Sequence, residues 1–151
     1  MKRRKFLCTL AAVGSMPIAG SVRAAGETIV VYKDPNCGCC HAWASAMTKA
    51  GFAVNAEDVD NIDVVKDHFK VPGDLRGCHT AVIARYYLEG HVPLEAVTRL
   101  LAEQPDIAGL AVPGMPVGSL GMGDSPDASY DVISVGKDGR SNLFQAVRPK
   151  P

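Results

Sequence analysis

From Thr28 onward, short apolar runs alternate with stretches of helical period. Thr28 to Tyr32 is β-branched and apolar, which predicts a buried strand, and Lys33-Asp34-Pro35-Asn36 breaks it. A helix is expected from about Cys39 to Ala50, stopped by Gly51. Its apolar face runs through Cys40, Trp43, Ala44 and Met47 at i, i+3, i+4 and i+7. Phe52 to Ala56 reads as a second strand. Asp60 is the expected cap of a second helix whose buried face is Ile62, Val65 and Phe69 and which ends before Pro72-Gly73. Thr80 to Ala84 and Tyr87 to Glu89 are close enough to pair as a hairpin. Pro93 then starts a third helix with Leu94, Val97, Leu100 and Leu101 inward, closed by Pro105.

The expected order is thus β-α-β-α-β-β-α, with Cys37 and Cys40 in a Cys-x-x-Cys frame at the first strand-to-helix turn. This is an α/β, thioredoxin-like plan. Its first two strands should be parallel, and its motif should lie at the C-terminal edge of a strand, where open α/β sheets bind ligands. Asp106 to Ser129 is expected to be irregular: it is rich in Gly and Pro, and loops of that length are functional or disordered as a rule. Tyr130–Val135 and Asn142–Val147 flank Asp138-Gly139, a hairpin signal. Residues 25–151 therefore read as one domain, with 106–147 as a loop-plus-hairpin extension.

The first 24 residues break this pattern. Lys2, Arg3, Arg4 and Lys5 precede an apolar run from Phe6 to Ile18, and Val22-Arg23-Ala24 offers a small-residue cleavage site. This reads as a secretory signal peptide, too short and too interrupted for a membrane span. Arg3-Arg4-Lys5-Phe6-Leu7 also resembles a twin-arginine export signal. Cys8 should leave with it. Removal of the segment leaves 11 Lys/Arg against 16 Asp/Glu, a net charge of −5. An acidic exported chain is poorly suited to nucleic acid, which demands a basic surface. No later segment has the character of a membrane span, so no membrane insertion is expected after signal removal.

Four cysteines then remain: Cys37, Cys39, Cys40 and Cys78. Three fall within four residues at a helix start, where backbone N–H groups favour thiolate, the form that both attacks disulfides and binds metal. Disulfide exchange needs only two sulfurs, and a third beside them offers wrong pairings. Soft thiolates suit Cu(I), and one thiolate can bridge two ions. A structural zinc site spreads its ligands as two separated pairs, and the second pair is missing. Cys78 falls just before the third strand, where the thioredoxin plan places a cis-proline facing the motif; no proline lies between Pro72 and Pro93. Two structural disulfides remain the plain alternative in an oxidising compartment.

His41 follows the cluster, off the Trp43 face, and is a candidate further ligand. So is His79, although adjacent strand residues point to opposite faces and only one of Cys78 and His79 should then face the cluster. Met115 and Met122 carry thioethers suited to Cu(I), or fill gaps under the long loop. The sequence leaves His91 without a defined position relative to the cluster, and His68 reads as an ordinary surface residue.

Asn36-Cys37-Gly38-Cys39-Cys40, Gly77-Cys78-His79-Thr80-Ala81, Glu89-Gly90-His91-Val92-Pro93 and Gly114-Met115-Pro116-Val117-Gly118 together resemble the CopG-like family of exported copper-resistance proteins, from about Ile29 to Val147. The resemblance implies a thioredoxin-like domain, a periplasmic location and a role in copper tolerance. It also implies copper, as Cu(I) in a multinuclear cluster, on Cys37, Cys39, Cys40 and Cys78. Interconversion of Cu(I) and Cu(II), a copper oxidoreductase activity, is the enzymatic reading, and other copper-resistance proteins are the implied partners. Two alternatives stand beside it: a thiol-disulfide oxidoreductase using Cys37 and Cys40, and a copper metallochaperone.

Overall fold

A computed structural model describes residues 26–123 and 125–149. The expected signal peptide, 1–24, lies outside the described residues.

The elements are β1 (Thr28–Lys33), α1 (Gly38–Lys49), β2 (Ala53–Asp58), α2 (Ile62–His68), a 3₁₀ turn (Gly73–Leu75), β3 (His79–Ile83), β4 (Tyr86–Glu89), α3 (Leu94–Glu103), β5 (Gly109–Ala111), β6 (Tyr130–Val135) and β7 (Ser141–Val147). Up to α3 the order of strands and α-helices is the one the hydrophobic pattern predicts. The result is a mixed α/β protein with one seven-stranded sheet, ordered β2-β1-β3-β4-β5-β6-β7. β1 and β2 are parallel, as expected, while β3 runs antiparallel to both β1 and β4.

Local chemistry explains most boundaries. Ile29 and Val31 are buried on alternate positions of β1, the period-2 signature of a strand with one covered face. Cys40, Trp43, Ala44 and Met47 form the buried stripe of α1, as their spacing predicts. Trp43, Ala44 and Met47 pack with Ile29, Val31, Leu88, Val97 and Leu100 into the main core. Complete burial of side chains of this size contributes roughly 1.5–3 kcal/mol each.

Four details differ from the sequence reading. Asn61, not Asp60, caps α2: its side chain accepts the Asp63 backbone N–H at 3.0 Å. The Ile62/Val65/Phe69 face of α2 is only half-buried, and Lys66 is the fully buried residue. The stretch expected to be irregular from Asp106 contains a real strand, β5. It pairs parallel to β4 and antiparallel to β6, so the C-terminal hairpin continues the sheet rather than hanging from it. Pro93 occupies the cap position of α3.

Two glycines bring the site loops together. A Cβ on Gly77 would lie 2.8 Å from the Gly90 Cα. Gly90 itself has φ +68°, and a Cβ there would meet the Val112 carbonyl at 2.8 Å. Only residues without a side chain allow the segments before β3, after β4 and after β5 to converge this closely.

Candidate metal centre

The turn Asp34-Pro35-Asn36 delivers the cluster to the N-terminus of α1. Asp34 accepts twice, through its side chain from the Asn36 N–H at 2.7 Å and through its carbonyl from the Cys37 N–H at 3.1 Å. This side-chain turn mimics a backbone turn and sets the chain direction. Cys37 holds the cap position, and its carbonyl accepts the first helical bond, from His41 N–H at 3.2 Å. Cys39 and Cys40 therefore lie in the first turn, where unpaired N–H groups gather positive potential. Cys40 is fully buried; Cys37 and Cys39 are partly exposed.

Cys37 and Cys40 are joined as a disulfide, and Cys39 and Cys78 are free thiols. Cys78 comes from the other side of the site, one residue ahead of β3. Its sulfur lies 3.6 Å from that of Cys39, which lies 3.6 Å from that of Cys37. The four sulfur atoms are all within 4.8 Å of one another. Two thiolates on one tetrahedral ion, with metal–sulfur bonds of about 2.3 Å, sit about 3.8 Å apart. The separations through Cys39 fit that geometry, and a set of sulfurs alone is the chemistry of soft ions.

Cys78 also meets two imidazoles. Its sulfur is 3.1 Å from His91 Nε2 and 3.4 Å from His79 Nδ1, and both rings are fully buried. Cys78, His79 and His91 thus form a second group of donors within 4.8 Å. Burial, together with the Cys39 thiol, pushes the Cys78 thiol up to about 12, so it holds its proton at neutral pH without a metal. Burial pushes His79 down to about 3, helped by the nearby His91 and Lys66, and lowers His91 as well. Both imidazoles are neutral, the form that binds metal. The region has no cis peptide among the described residues, and Cys78 occupies the place where a proline was absent.

The secondary candidates separate. His79 contacts Cys78, and Cys78 lies outside β3, so strand alternation does not divide the two. His41 is exposed and its Nε2 hydrogen-bonds with the Pro35 carbonyl at 3.2 Å; it belongs to neither donor group. Met115 and Met122 are exposed at 52% and 40%, on the loop beside the cluster. That loop touches α1 closely: a Cβ on Gly121 would fall 2.7 Å from the Cys39 carbonyl. His68 is exposed, as expected.

His91 is the residue that sequence reasoning missed. Hairpin arithmetic contains the signal. The register pairs Thr80 with Glu89 and Ala81 with Leu88. Continued by two steps, it sets Cys78 opposite His91.

A mixed α/β sheet carrying clustered thiols at a helix N-terminus defines a thiol-site protein built for metal or redox chemistry. Two solved structures are similar over nearly their whole length. Form 2 of copper resistance protein CopG is 36% identical, with a TM-score of 0.76, and the match covers 80% of this chain and 98% of that one. Form 1 is 36% identical, with a TM-score of 0.75, over 82% and 98%. The chain belongs to the CopG family of copper resistance proteins. Residues 75–122, which include Cys78, His79 and His91, also match the family described as a protein of unknown function, DUF411. No curated protein matches.

Proposed function

We propose that this protein holds copper as Cu(I), more than one ion, on Cys37, Cys39, Cys40 and Cys78, and thereby limits free copper outside the cytoplasm. The observation that carries the reading is the gathering of four sulfurs, from two separate segments, within 4.8 Å. Three sulfurs drawn from four consecutive residues crowd a single tetrahedral centre, and thiolates can bridge, so sharing among several Cu(I) ions suits the set better. The copper-resistance proteins to which the chain is similar support copper over other soft ions. Residues 1–24 act in this reading as the export signal, and the periplasm is the compartment. The thioredoxin-like plan supplies the helix N-terminus that favours thiolate.

Loading requires chemistry at the Cys37–Cys40 disulfide. Two electrons and two protons from an external dithiol convert it to two thiols, and Cu(I) then displaces thiol protons. Cu(I)/Cu(II) interconversion at the loaded cluster, and transfer to other copper-resistance proteins, are further steps of the same reading.

The disulfide also favours a second reading, thiol-disulfide exchange through Cys37. The two separate experimentally. Anaerobic titration of the reduced protein with Cu(I) should give several tightly bound equivalents, and Cys78→Ser should lower that number. Insulin reduction at a rate typical of a disulfide oxidoreductase, with no retained copper, would favour exchange instead.

A further inference from the structure

Successive strand residues alternate faces, so Tyr87 points away from the main core that Tyr86 and Leu88 join. On that other face a smaller core forms from Val71, Leu75, Tyr87, Ala111 and Val135. Beside it, at the turn between β3 and β4, lies a solvent-open groove of about 510 Å³. Phe69, Val82, Tyr87 and Ile107 give it apolar walls. The turn is at the far end of β3 from Cys78, about 15–20 Å along the strand.

The groove has one sign of charge. Its basic lining residues are His68, Lys70, Arg85 and Lys137, and no carboxylate lines it among the described residues. Beyond residue 24 the chain as a whole is acidic, with 11 Lys/Arg against 16 Asp/Glu. Lys137 pairs with the neighbouring Asp106. Arg85 is held in place: it donates to the Gln104 carbonyl at 2.8 Å, and its guanidinium lies 5.0 Å from the centre of the Tyr86 ring. Lys70 is exposed and pairs with no carboxylate among the described residues. It follows the end of α2 at φ 56°, a left-handed position that commonly falls to glycine. Ala84, also in the lining, has φ 52°. Non-glycine residues in this region concentrate at sites where function offsets the strain. Tyr87 is 3% exposed, and its hydroxyl is buried without a hydrogen-bond partner. Such an orphan calls for an acceptor from outside.

We propose that this groove docks an acidic, partly apolar peptide segment of a partner protein. Carboxylates would meet Lys70 and Arg85, apolar side chains would lie on Phe69, Tyr87 and Ile107, and an acceptor from the segment would complete the Tyr87 hydroxyl. Small-molecule sites enclose most of their ligand, whereas this one is open, as suits a segment laid across it. Clustered cations are a recurrent means of capturing acidic motifs. Residues 1–25 carry five Lys/Arg and no Asp/Glu, the wrong sign to occupy it. Docking at this end of the sheet leaves the thiols at the other end accessible, so a partner can be held while the sulfur cluster works. The groove is independent of the copper reading.

The test is amide chemical-shift mapping with an unlabelled, acetylated hexapeptide of glutamates and phenylalanines. Saturable shifts should be confined to 68–70, 84–87 and 107–108, and should weaken as salt is added. Lys70→Glu should weaken binding at least tenfold, while the same charge change at Lys49→Glu, on the exposed end of α1, should leave it unchanged. Tyr87→Phe should weaken binding several-fold without lowering the urea midpoint, because the hydroxyl it removes makes no hydrogen bond in the free protein. Mapping on the wild type stands even if a variant fails to fold. Absence of saturable shifts, shifts located elsewhere, or an equal response to a peptide with lysine in place of glutamate would overturn the proposal. Phenylpropionate binding as tightly as the peptide would overturn it too, since the groove would then be a site for small carboxylates.

Discussion

Glu89 accepts the backbone N–H of Gly77 at 2.6 Å from within the sheet. Its other oxygen accepts the Thr80 hydroxyl at 2.7 Å, and Lys66 closes the network on both Glu89 and Thr80. Gly77 and Thr80 flank Cys78-His79, so one buried carboxylate fixes the chain on either side of the inner cysteine. The ion pair is buried on both sides, at 2% and 0% exposure. Breaking such a pair from one side costs about 3–5 kcal/mol, because the remaining charge has no partner. Glu89→Gln should destabilise the protein by that order in urea unfolding. Adding Lys66→Met should recover most of the loss, since the glutamine carbonyl can still accept from Gly77. A Glu89→Gln protein as stable as wild type would mean that the network does not hold the Cys78 segment.

The limits of the sequence follow from the same network. Cys40, Trp43, Ala44 and Met47 were legible as a core face because helix periodicity is a local property. Lys66 was not, because its neutralising partner lies 23 residues away on β4. β5 escaped notice for a related reason: Gly-Leu-Ala has no strand signature of its own. It becomes a strand by lying between β4 and β6, with Gly109 allowing the approach to Tyr87; a Cβ there would come within 2.6 Å of the ring. The sulfur cluster was visible from spacing and the position of Cys78. Its continuation into His91 depended on hairpin register, which the sequence suggested only as a pairing without an alignment of residues.

Gly121 presses the Met-containing loop against the helix that carries the cysteines. Its φ is +102°, and a Cβ would meet the Cys39 carbonyl, a backbone atom that cannot swing away. Strain of this type costs on the order of 1–3 kcal/mol. Gly121→Ala should lift the loop and expose the site. The expected result is a several-fold faster loss of bound Cu(I) to a chelator, with little change in the number of ions bound. An unchanged extraction rate would show that the loop does not limit access.

Acid should destabilise the metal-free protein through its buried imidazoles. An unfolded histidine titrates near 6.5, whereas burial pushes folded His79 down to about 3, and His91 shifts the same way. Between those values the unfolded chain binds a proton that the folded one refuses. Stability from His79 is therefore full above pH 6.5 and falls as pH drops toward 3, by up to about 1.4 kcal/mol per pH unit. Urea midpoints measured at pH 7, 5.5 and 4 should fall more steeply for wild type than for His79→Phe. Parallel slopes would mean that His79 is protonated in the folded state.

Cys39 links the two halves of the cluster, since its sulfur lies 3.6 Å from both Cys37 and Cys78 and takes no part in the disulfide. Cys39→Ser should therefore separate copper storage from thiol exchange. A serine oxygen is a hard donor and a poor bridge for Cu(I). The variant should bind fewer Cu(I) equivalents than wild type under anaerobic titration, while thiol counting after air oxidation still shows Cys37 and Cys40 paired and Cys78 free. Retention of the full copper complement would remove Cys39 from the bridge. Loss of the Cys37–Cys40 pairing would mean instead that Cys39 shapes the helix start, because the serine would have disturbed the turn rather than the metal.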